Sequence, residues 1–258
     1  MLNQAAPAPH KTSFLDVDFT ALDLNAALDL IAARASLEAP FEYVVTPNVD
    51  HIVGLAREPA RRPLYEAAWL KLNDSKILAG LARRARLDLP VATGADLAVL
   101  LLDRVIEKHE PVTVIGGDAA MIEALRARYG LTDIRWHDAP QNLRQRPEAI
   151  VEAARFAAEQ GARFTFLCVG APQQEMLAYA IKHEPAAIGV GLCVGAALEF
   201  CAGRKTRAPK WMRKAGLEWA FRLASEPGRL WRRYMVDGPA VFSLFKAWRA
   251  DMASASAA

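Results

Sequence analysis

The feature that most constrains the fold of this chain is a regular alternation of short apolar runs with longer amphipathic stretches. The apolar runs are three to six residues long, as buried strands are, and helical patterns separate most of them. Strands joined by helices run parallel in one sheet. The alternation therefore predicts an α/β fold with a largely parallel sheet and flanking helices. The predicted strands are 14–19, 41–45, 69–72, 112–115, 134–136, 164–169 and 187–191.

Ligands of parallel sheets bind beyond the carboxyl ends of the strands, so the loops that follow the predicted strands are the candidate sites. These loops are Thr46-Pro47-Asn48, Asn73-Asp74, Gly116-Gly117-Asp118, Gly170-Ala171-Pro172-Gln173-Gln174 and 191–195.

Composition excludes several classes of protein. The chain has 258 residues, of which 53% are hydrophobic, so it has the length to bury a large core and lacks the composition of a disordered protein. Its three cysteines have no C-x-x-C spacing, which argues against a disulfide framework or a zinc site. The first fourteen residues contain no signal-peptide core, and the longest apolar run is thirteen residues, too short to span a bilayer. These features predict a soluble intracellular protein.

Charge is distributed unevenly along the chain. Residues 203–249 contain twelve basic and three acidic residues, a net charge of +9, which leaves −6 on the rest of a chain whose total is +3. Four of the six tryptophans lie in the same segment. A basic, tryptophan-rich segment on an acidic body predicts an anionic partner for that segment.

Several of the loops allow two interpretations. Gly116 and Gly117 suit an anion site at a helix N-terminus or an ordinary tight turn. Asp74 either caps the following helix or acts as a general base. Gln173 and Gln174 either bind sugar hydroxyls or lie on the surface.

Two further patterns are weaker. Asp16 and Asp18 form a D-x-D, for which a turn or capping role is favoured over metal binding. The glycines between 189 and 195 lack the downstream acidic residue of a dinucleotide site.

Motifs in the same loops give the chain a family resemblance. They are Val45-Thr46-Pro47-Asn48, Asp74 at a strand end, Thr93-Gly94-Ala95-Asp96-Leu97, Val169-Gly170-Ala171-Pro172-Gln173-Gln174-Glu175, and a long block from Ala202 to Trp219 that continues to Tyr234. With these motifs the chain resembles the WecG/TagA/CpsF glycosyltransferases, glycosyltransferase family 26, over roughly residues 16–245.

The resemblance implies a Rossmann-like α/β body with a basic C-terminal helical appendage. It implies an inverting enzyme that moves a hexose or N-acetylhexosamine, of N-acetylmannosamine or glucose type, from a UDP-sugar to a polyprenyl-diphosphate-linked sugar. The pathway implied is bacterial surface polysaccharide synthesis, such as exopolysaccharide, teichoic acid or common antigen, at the cytoplasmic face of the membrane. The implied partners are the donor, the lipid acceptor and an anionic membrane surface, with no metal, no cofactor and no nucleic acid. Whether the protein forms a homo-oligomer is left open.

Carried over to this chain, the resemblance implies that Asp74 is the base that deprotonates the acceptor hydroxyl. Because that hydroxyl becomes acidic only as the new bond forms, a carboxylate of ordinary pKa is expected to suffice. The resemblance also implies that Thr46 and Asn48 line the same pocket and that Gln174 positions a substrate. The implied nucleotide-sugar site consists of Gly94, Asp96, Gly116, Gly117, Gly170, Pro172, Gln173 and Glu199. Two positions depart from the family pattern, which commonly has Gly at Ser75 and often Asp at Glu199.

The basic segment is expected to contact the acceptor diphosphate and the membrane. The residues implied are Arg207, Arg222, Arg229, Arg232, Arg233, Trp211 and Trp231, with Trp219, Leu230 and Trp248 on the apolar face. The alternative is that the basic segment forms an ordinary amphipathic helix pair that packs on the sheet.

We predict a flexible segment at 1–13, an α/β body at 14–202, the appendage at 203–249 and a disordered tail at 250–258. Two other functions stay open, a nucleic-acid-binding protein that uses the basic segment and a non-catalytic scaffold.

Overall fold

A computed structural model describes residues 9–36 and 39–255 of the chain. Its strands are β1 Lys11–Phe14, β2 Val17–Thr20, β3 Glu42–Val45, β4 Leu70–Lys71, β5 Val112–Ile115, β6 Ile134–His137, β7 Phe164–Leu167 and β8 Val190–Cys193. β1 and β2 form an antiparallel hairpin, and the other six form one parallel sheet in the order β4-β3-β8-β7-β5-β6. The predicted α/β class with a parallel sheet is confirmed.

Helices connect the strands and form the C-terminal part. The α-helices are α1 Leu24–Ala35, α2 Val49–Arg57, α3 Arg62–Glu66, α4 Lys76–Arg84, α5 Gly94–Arg104, α6 Ala119–Tyr129, α7 Pro147–Gln160, α8 Gln173–Lys182, α9 Ala197–Cys201, α10 Lys210–Ala215, α11 Glu218–Ser225, α12 Pro227–Trp231 and α13 Ala240–Ala255. Short 3-10 turns lie at Pro59–Arg61 and Leu143–Gln145, and Arg232–Asp237 is π-helical.

Side-chain caps explain where several helices begin. Asp23, Ser75, Thr93 and Asp118 each accept a hydrogen bond from the backbone N–H three residues later, at the start of α1, α4, α5 and α6. Each such cap contributes about 1 kcal/mol of helix stability.

The sheet separates two apolar cores. Helices α1, α5, α6 and α9 cover one face, and α2, α4, α7, α8 and α13 cover the other. Successive side chains of a strand point to opposite faces of the sheet, so in β3 Tyr43 and Val45 belong to one core and Val44 to the other.

A crevice opens where the chain leaves β3 and β8. These strands are neighbours, with Val45 opposite Cys193. The helix after β3, α2, lies on one face of the sheet, whereas the helix after β8, α9, lies on the other. Neighbouring strands whose connections diverge in this way leave a ligand-sized space at their carboxyl ends.

The N-terminal region differs from the prediction. The predicted strand 14–19 is two strands, because Leu15 and Asp16 form a turn with left-handed φ values of 51° and 59°. The predicted flexible segment 1–13 is too long, because β1 begins at Lys11 and buries Thr12, whose hydroxyl donates to the Asp88 carbonyl at 3.0 Å. Residues 1–8 lie outside the described residues.

The C-terminal boundary also differs. The tail was predicted to be disordered from residue 250, but α13 continues to Ala255, and residues 256–258 lie outside the described residues. Burial holds α13 in place, since Val241 and Phe245 enter the core and the Trp248 ring lies 5.2 Å from that of Phe14.

We expect Phe14→Ala to reduce the free energy of unfolding by about 3–5 kcal/mol, because the ring is fully buried against two aromatic rings of α13. Urea denaturation measures the change. Phe242→Ala, at a half-exposed position on α13, is the matched control and is expected to change the free energy of unfolding by less than about 0.5 kcal/mol. Equal effects of the two substitutions would contradict the docking of α13 on the hairpin.

Candidate functional site

A cavity of about 720 Å³ occupies the crevice at the carboxyl ends of β3, β4 and β8. The body contributes the loops after these strands and the start of α5, and the appendage from Arg207 to Phe242 forms the opposite wall. The site is therefore built by both parts of the chain.

Asp74 lies in this cavity on a loop that is fixed on both sides. Its backbone N–H donates to the Pro47 carbonyl at 3.0 Å. The side chain of the buried Asn73 accepts from the Ser75 N–H at 2.9 Å and donates to the Pro90 carbonyl at 3.2 Å. Ser75 caps α4, so the capping role considered for Asp74 is wrong and its carboxylate is available to a ligand.

The electrostatic environment of Asp74 is unusual for a carboxylate. Burial raises its pKa to about 7, and the nearby charge of Glu218 also raises it, whereas His51, Arg222 and Arg207 oppose the shift. The expectation of an ordinary pKa is therefore wrong. Within the described ranges no side chain hydrogen-bonds or ion-pairs with Asp74. Such a group is suited to accept a proton near neutral pH.

Thr46 and Asn48 occupy different positions at the end of β3. Thr46 is buried behind the cavity wall, and its hydroxyl donates to the Cys193 carbonyl at 3.5 Å. Gly94 lies in front of it, and a Cβ there would approach the Thr46 hydroxyl to 2.9 Å. Asn48 lies on the cavity surface and caps α2 through a bond from the Asp50 N–H at 3.0 Å.

The glutamines of the β7 loop face protein partners. Gln174 is buried, and its Oε1 accepts from the Gly195 N–H at 2.8 Å, which supports the β8 loop. Gln173 bonds the Arg144 N–H and the Val169 carbonyl. Neither lines the main cavity.

Four more of the predicted nucleotide-sugar residues lie outside the main cavity. Gly116 and Gly117 follow β5 with left-handed φ, and a Cβ on Gly117 would lie 2.1 Å from the Met121 side chain. Gly170 also has a left-handed φ, and Pro172 lines a separate cavity of about 50 Å³.

Glu199 likewise lies outside the main cavity. It pairs with Arg204 at 3.5 Å. Arg204 also pairs with Asp118, the last residue of the Gly116-Gly117-Asp118 loop, and so connects this loop to the appendage.

Asp96 lines the cavity and joins the body to the appendage. Its carboxylate accepts hydrogen bonds from Arg207 and from the Thr93 hydroxyl, both at 2.7 Å, and lies 3.5 Å from Arg213. Burial raises the pKa of Asp96, but the bonds from Arg207 and Thr93 outweigh burial and hold the pKa below its ordinary value. Asp96 is therefore an ionised anchor for the appendage.

The structure divides the predicted arginines into two groups. Arg207, Arg222 and Arg233 line the cavity. Arg229 and Arg232 do not, since Arg229 pairs with Glu226 at 2.6 Å and the Arg232 side chain is 85% exposed. The break between α11 and α12 separates Arg222 from the later arginines.

Sequence reasoning missed several residues of the cavity. The lining contains seven basic and four acidic side chains, which makes it cationic. The basic count of segment 203–249 pointed only to the cationic members Lys210, Arg213 and Lys214. No sequence signal pointed to the other additional members, which are Lys76, Asp50, Glu218, Trp219 and Tyr234.

The outer surface of the appendage is apolar as well as basic. Trp211 is 65% exposed and Trp231 is 58% exposed. Trp248 and Leu230, which were expected on the same apolar face, instead pack inward. Leu217 and Val236 are also exposed, whereas the exposed Met235 and Phe242 line the cavity.

Within residues 9–36 and 39–255, no group of three or more His, Cys, Asp or Glu side chains is arranged to hold a metal ion. No helix in these ranges is long and apolar enough to cross a membrane.

The chain matches a known protein family. A sequence model described as the Glycosyl transferase WecG/TagA/CpsF family matches residues 12–255, from the hairpin to the end of α13. The match includes both walls of the cavity.

We expect Asp74→Asn to stabilise the protein above pH 7. A carboxyl group whose pKa rises from its usual range to about 7 on folding makes the wild type lose stability as the pH increases through that window, whereas asparagine does not titrate. Thermal unfolding at pH 5 and pH 8 measures the difference. If wild type and variant show the same pH dependence, the burial of an ionisable Asp74 is refuted.

Proposed function

Because this chain belongs to the WecG/TagA/CpsF family of glycosyltransferases, we propose that it transfers a sugar from a UDP-sugar to a polyprenyl-diphosphate-linked sugar with inversion. The sugar is a hexose or an N-acetylhexosamine, and the product serves bacterial surface polysaccharide synthesis. The observation that carries the proposal is the Asp74 carboxyl, which lies in a cavity with a cationic lining, has a pKa of about 7 and has no side-chain partner among the described residues.

Asp74 supplies the base for the transfer step. The acceptor hydroxyl oxygen attacks the anomeric carbon, its proton passes to Asp74, and the bond from that carbon to the diphosphate oxygen breaks with its electron pair leaving on UDP. A single displacement of this kind inverts the anomeric centre and needs one carboxylate. A base with a pKa near 7 is available in its ionised form at neutral pH.

Arginine side chains of the appendage compensate the negative charge of the diphosphate. Arg207 and Arg222 line the same cavity as Asp74, and both lower its pKa, so their charge reaches the reacting centre. Guanidinium groups bind phosphate oxygens through paired hydrogen bonds. These side chains stabilise the negative charge that develops on the leaving group.

The exposed surface of the appendage supports the proposal that the protein binds to a membrane surface. Trp211 and Trp231 are exposed beside basic residues such as Lys210, Lys214 and Arg232, a combination typical of binding to an anionic lipid surface. An acceptor carried by a polyprenyl chain places its sugar at that surface. The cavity, with its wall formed by the appendage, is then positioned to receive it.

We expect Asp74→Asn to lower kcat by at least about 10²-fold, because it removes the base. UDP-sugar binding, measured by calorimetry, stays unchanged. Transfer to synthetic polyprenyl-diphosphate sugars across a panel of UDP-sugars is followed by mass spectrometry. Asp103→Asn, at an exposed position on α5, is the control and keeps full activity. Wild-type turnover by Asp74→Asn would contradict the assignment of the base.

We expect the double variant Trp211→Ser and Trp231→Ser to lose most of its binding to vesicles that contain anionic lipid. Both rings are exposed, so the fold is retained. Vesicle flotation measures binding, and Val151→Ser, an exposed apolar position on the body, is the control. Undiminished flotation of the double variant would show that another surface binds the membrane.

A further inference from the structure

Helix α4 of the body carries exposed basic residues that the proposed reaction does not use. Its inner face is apolar, because Leu78, Leu81 and Ala82 are buried in the core. Residues 75–87 contain no acidic residue. The exposed cations of α4 and of the turn that follows it are Lys76, Arg83, Arg84 and Arg86. This part of the surface is therefore strongly positive.

Helical spacing places these cations along one face of α4. Lys76 and Arg83 are seven residues apart, which is two helical turns or about 10 Å along the axis. Gly80 lies between them on the same face, and a Cβ placed there would meet no other atom within 4 Å. The face is therefore open to a broad partner along its length.

Arg86 ends this row in a backbone conformation that usually selects glycine. Its φ of 60° is left-handed, its N–H donates to the Arg83 carbonyl at 3.0 Å, and the Leu87 N–H donates to the Ala82 carbonyl at 3.0 Å. Helix ends closed in this way most often have glycine at the left-handed position. Glycine would relieve the backbone strain but would remove an exposed positive charge.

Helix α10 of the appendage continues the charged surface of α4. The Lys76 ammonium donates to the Lys214 carbonyl at 2.8 Å, and a Cβ on Gly216 would lie 3.5 Å from the Lys76 Cβ. Residues 208–217 contain three basic residues and no acidic residue, and both Lys210 and Lys214 are exposed. The four cations of α4 and these two lysines thus form one adjoining surface.

These six cations are not neutralised by neighbouring carboxylates. None of them forms an ion pair within residues 9–36 and 39–255, whereas other basic residues of the appendage do. Arg207 pairs with Asp96, and Arg204 pairs with Asp118. Charges of one sign that share a surface repel one another unless an oppositely charged partner covers them. The surface therefore fits an anionic partner.

An exposed aromatic ring among the cations indicates the class of that partner. Trp211 is 65% exposed between Lys210 and Lys214, and Leu217 after α10 is 38% exposed. A tryptophan ring beside basic residues suits an anionic lipid surface, where the ring enters the interface and the cations contact headgroup phosphates. Single-stranded nucleic acid is instead held by several rings that stack successive bases, and Trp211 is the single aromatic residue of 75–87 and 208–217.

We propose that α4 of the body and α10 of the appendage form one binding surface for the anionic headgroups of a lipid membrane. The inference rests on the membrane role proposed above for the appendage, but it does not need the transfer reaction. It adds the body to that role, because α4 supplies four of the six cations. Helix α4 begins directly after Asp74 and its cap Ser75, so binding along α4 keeps the cavity close to the headgroups.

Flotation of the full-length protein with phosphatidylcholine vesicles, with and without phosphatidylglycerol, tests the proposal. We expect Arg83→Gln combined with Arg84→Gln to weaken binding to the anionic vesicles by roughly 25-fold, since each basic residue near such a surface contributes a factor of about five. Arg104→Gln combined with Lys108→Gln is the matched control. Both residues are exposed at the end of α5 that lies away from the cavity, and this variant binds like the wild type.

Arg86→Gly separates the charge of this surface from its stability. We expect the substitution to weaken binding to the anionic vesicles roughly fivefold. The melting temperature stays the same or rises, because glycine accepts the left-handed φ without strain. Binding at the wild-type level would show that Arg86 serves only the fold.

Thermal melts confirm that each variant is folded. Wild-type binding by the folded Arg83→Gln, Arg84→Gln variant overturns the proposal, as does an equal loss of binding in the control variant. Binding of the wild type to an RNA oligonucleotide but not to the anionic vesicles overturns the choice of lipid.

Two further outcomes separate this inference from the proposed function. If Trp211→Ser combined with Trp231→Ser loses vesicle binding and the Arg83→Gln, Arg84→Gln variant does not, the membrane role of the appendage stands and this inference fails. If the wild type transfers no sugar while the arginine variant loses vesicle binding as expected, the proposed transfer reaction fails and this inference stands.

Discussion

The divergence of the helices that follow β3 and β8 is the constraint on which the rest of the site depends. Because α2 and α9 leave adjacent strands toward opposite faces of the sheet, the strand ends between them remain uncovered. Asn48 and Asp74 lie at this opening. The appendage crosses it, and α13 then returns to the core through Val241 and Phe245, so the second wall of the cavity is held by packing.

The same wall explains the chemistry of Asp74. Burial in the cavity raises its pKa to about 7, and without compensation the carboxyl would be protonated too often to act as a base at neutral pH. Arg207 and Arg222 of the appendage and His51 of the body oppose the shift. The appendage therefore encloses the site, and the proposed function assigns it two further roles, which are stabilisation of diphosphate charge and contact with a membrane.

The architecture could be predicted from the sequence, because it depends on local signals. The alternation of apolar runs predicts a parallel sheet, and the strand-end loops place Asp74 and Asn48 among the candidate residues. The role of Asp74 as a base comes from the family resemblance and stays a prediction. Choices between near neighbours were not predictable, such as the capping of α4 by Ser75 and the turn that divides 14–19 into two strands. Ser and Asp cap helices almost equally well, so only the tertiary position of the loop decides between them.

Contacts between segments that are distant along the chain could not be predicted from the sequence either. The inward orientation of Gln174 depends on where Gly195 lies, and the pairing of Asp96 with Arg207 depends on how the appendage folds back. A count of charges located a basic segment, but it did not show that Arg222 lines the cavity while Arg229 does not. The helix break at Glu226, between α11 and α12, lies between these two arginines.

The dependence of kcat/KM on pH tests the central claim, the role of Asp74 as a base, most directly. For the wild type, the account predicts that kcat/KM falls tenfold per pH unit below an ionisation near pH 7, and that this ionisation is absent from the residual rate of Asp74→Asn. A wild-type profile that stays flat down to pH 5, or the same ionisation in the variant, would contradict it.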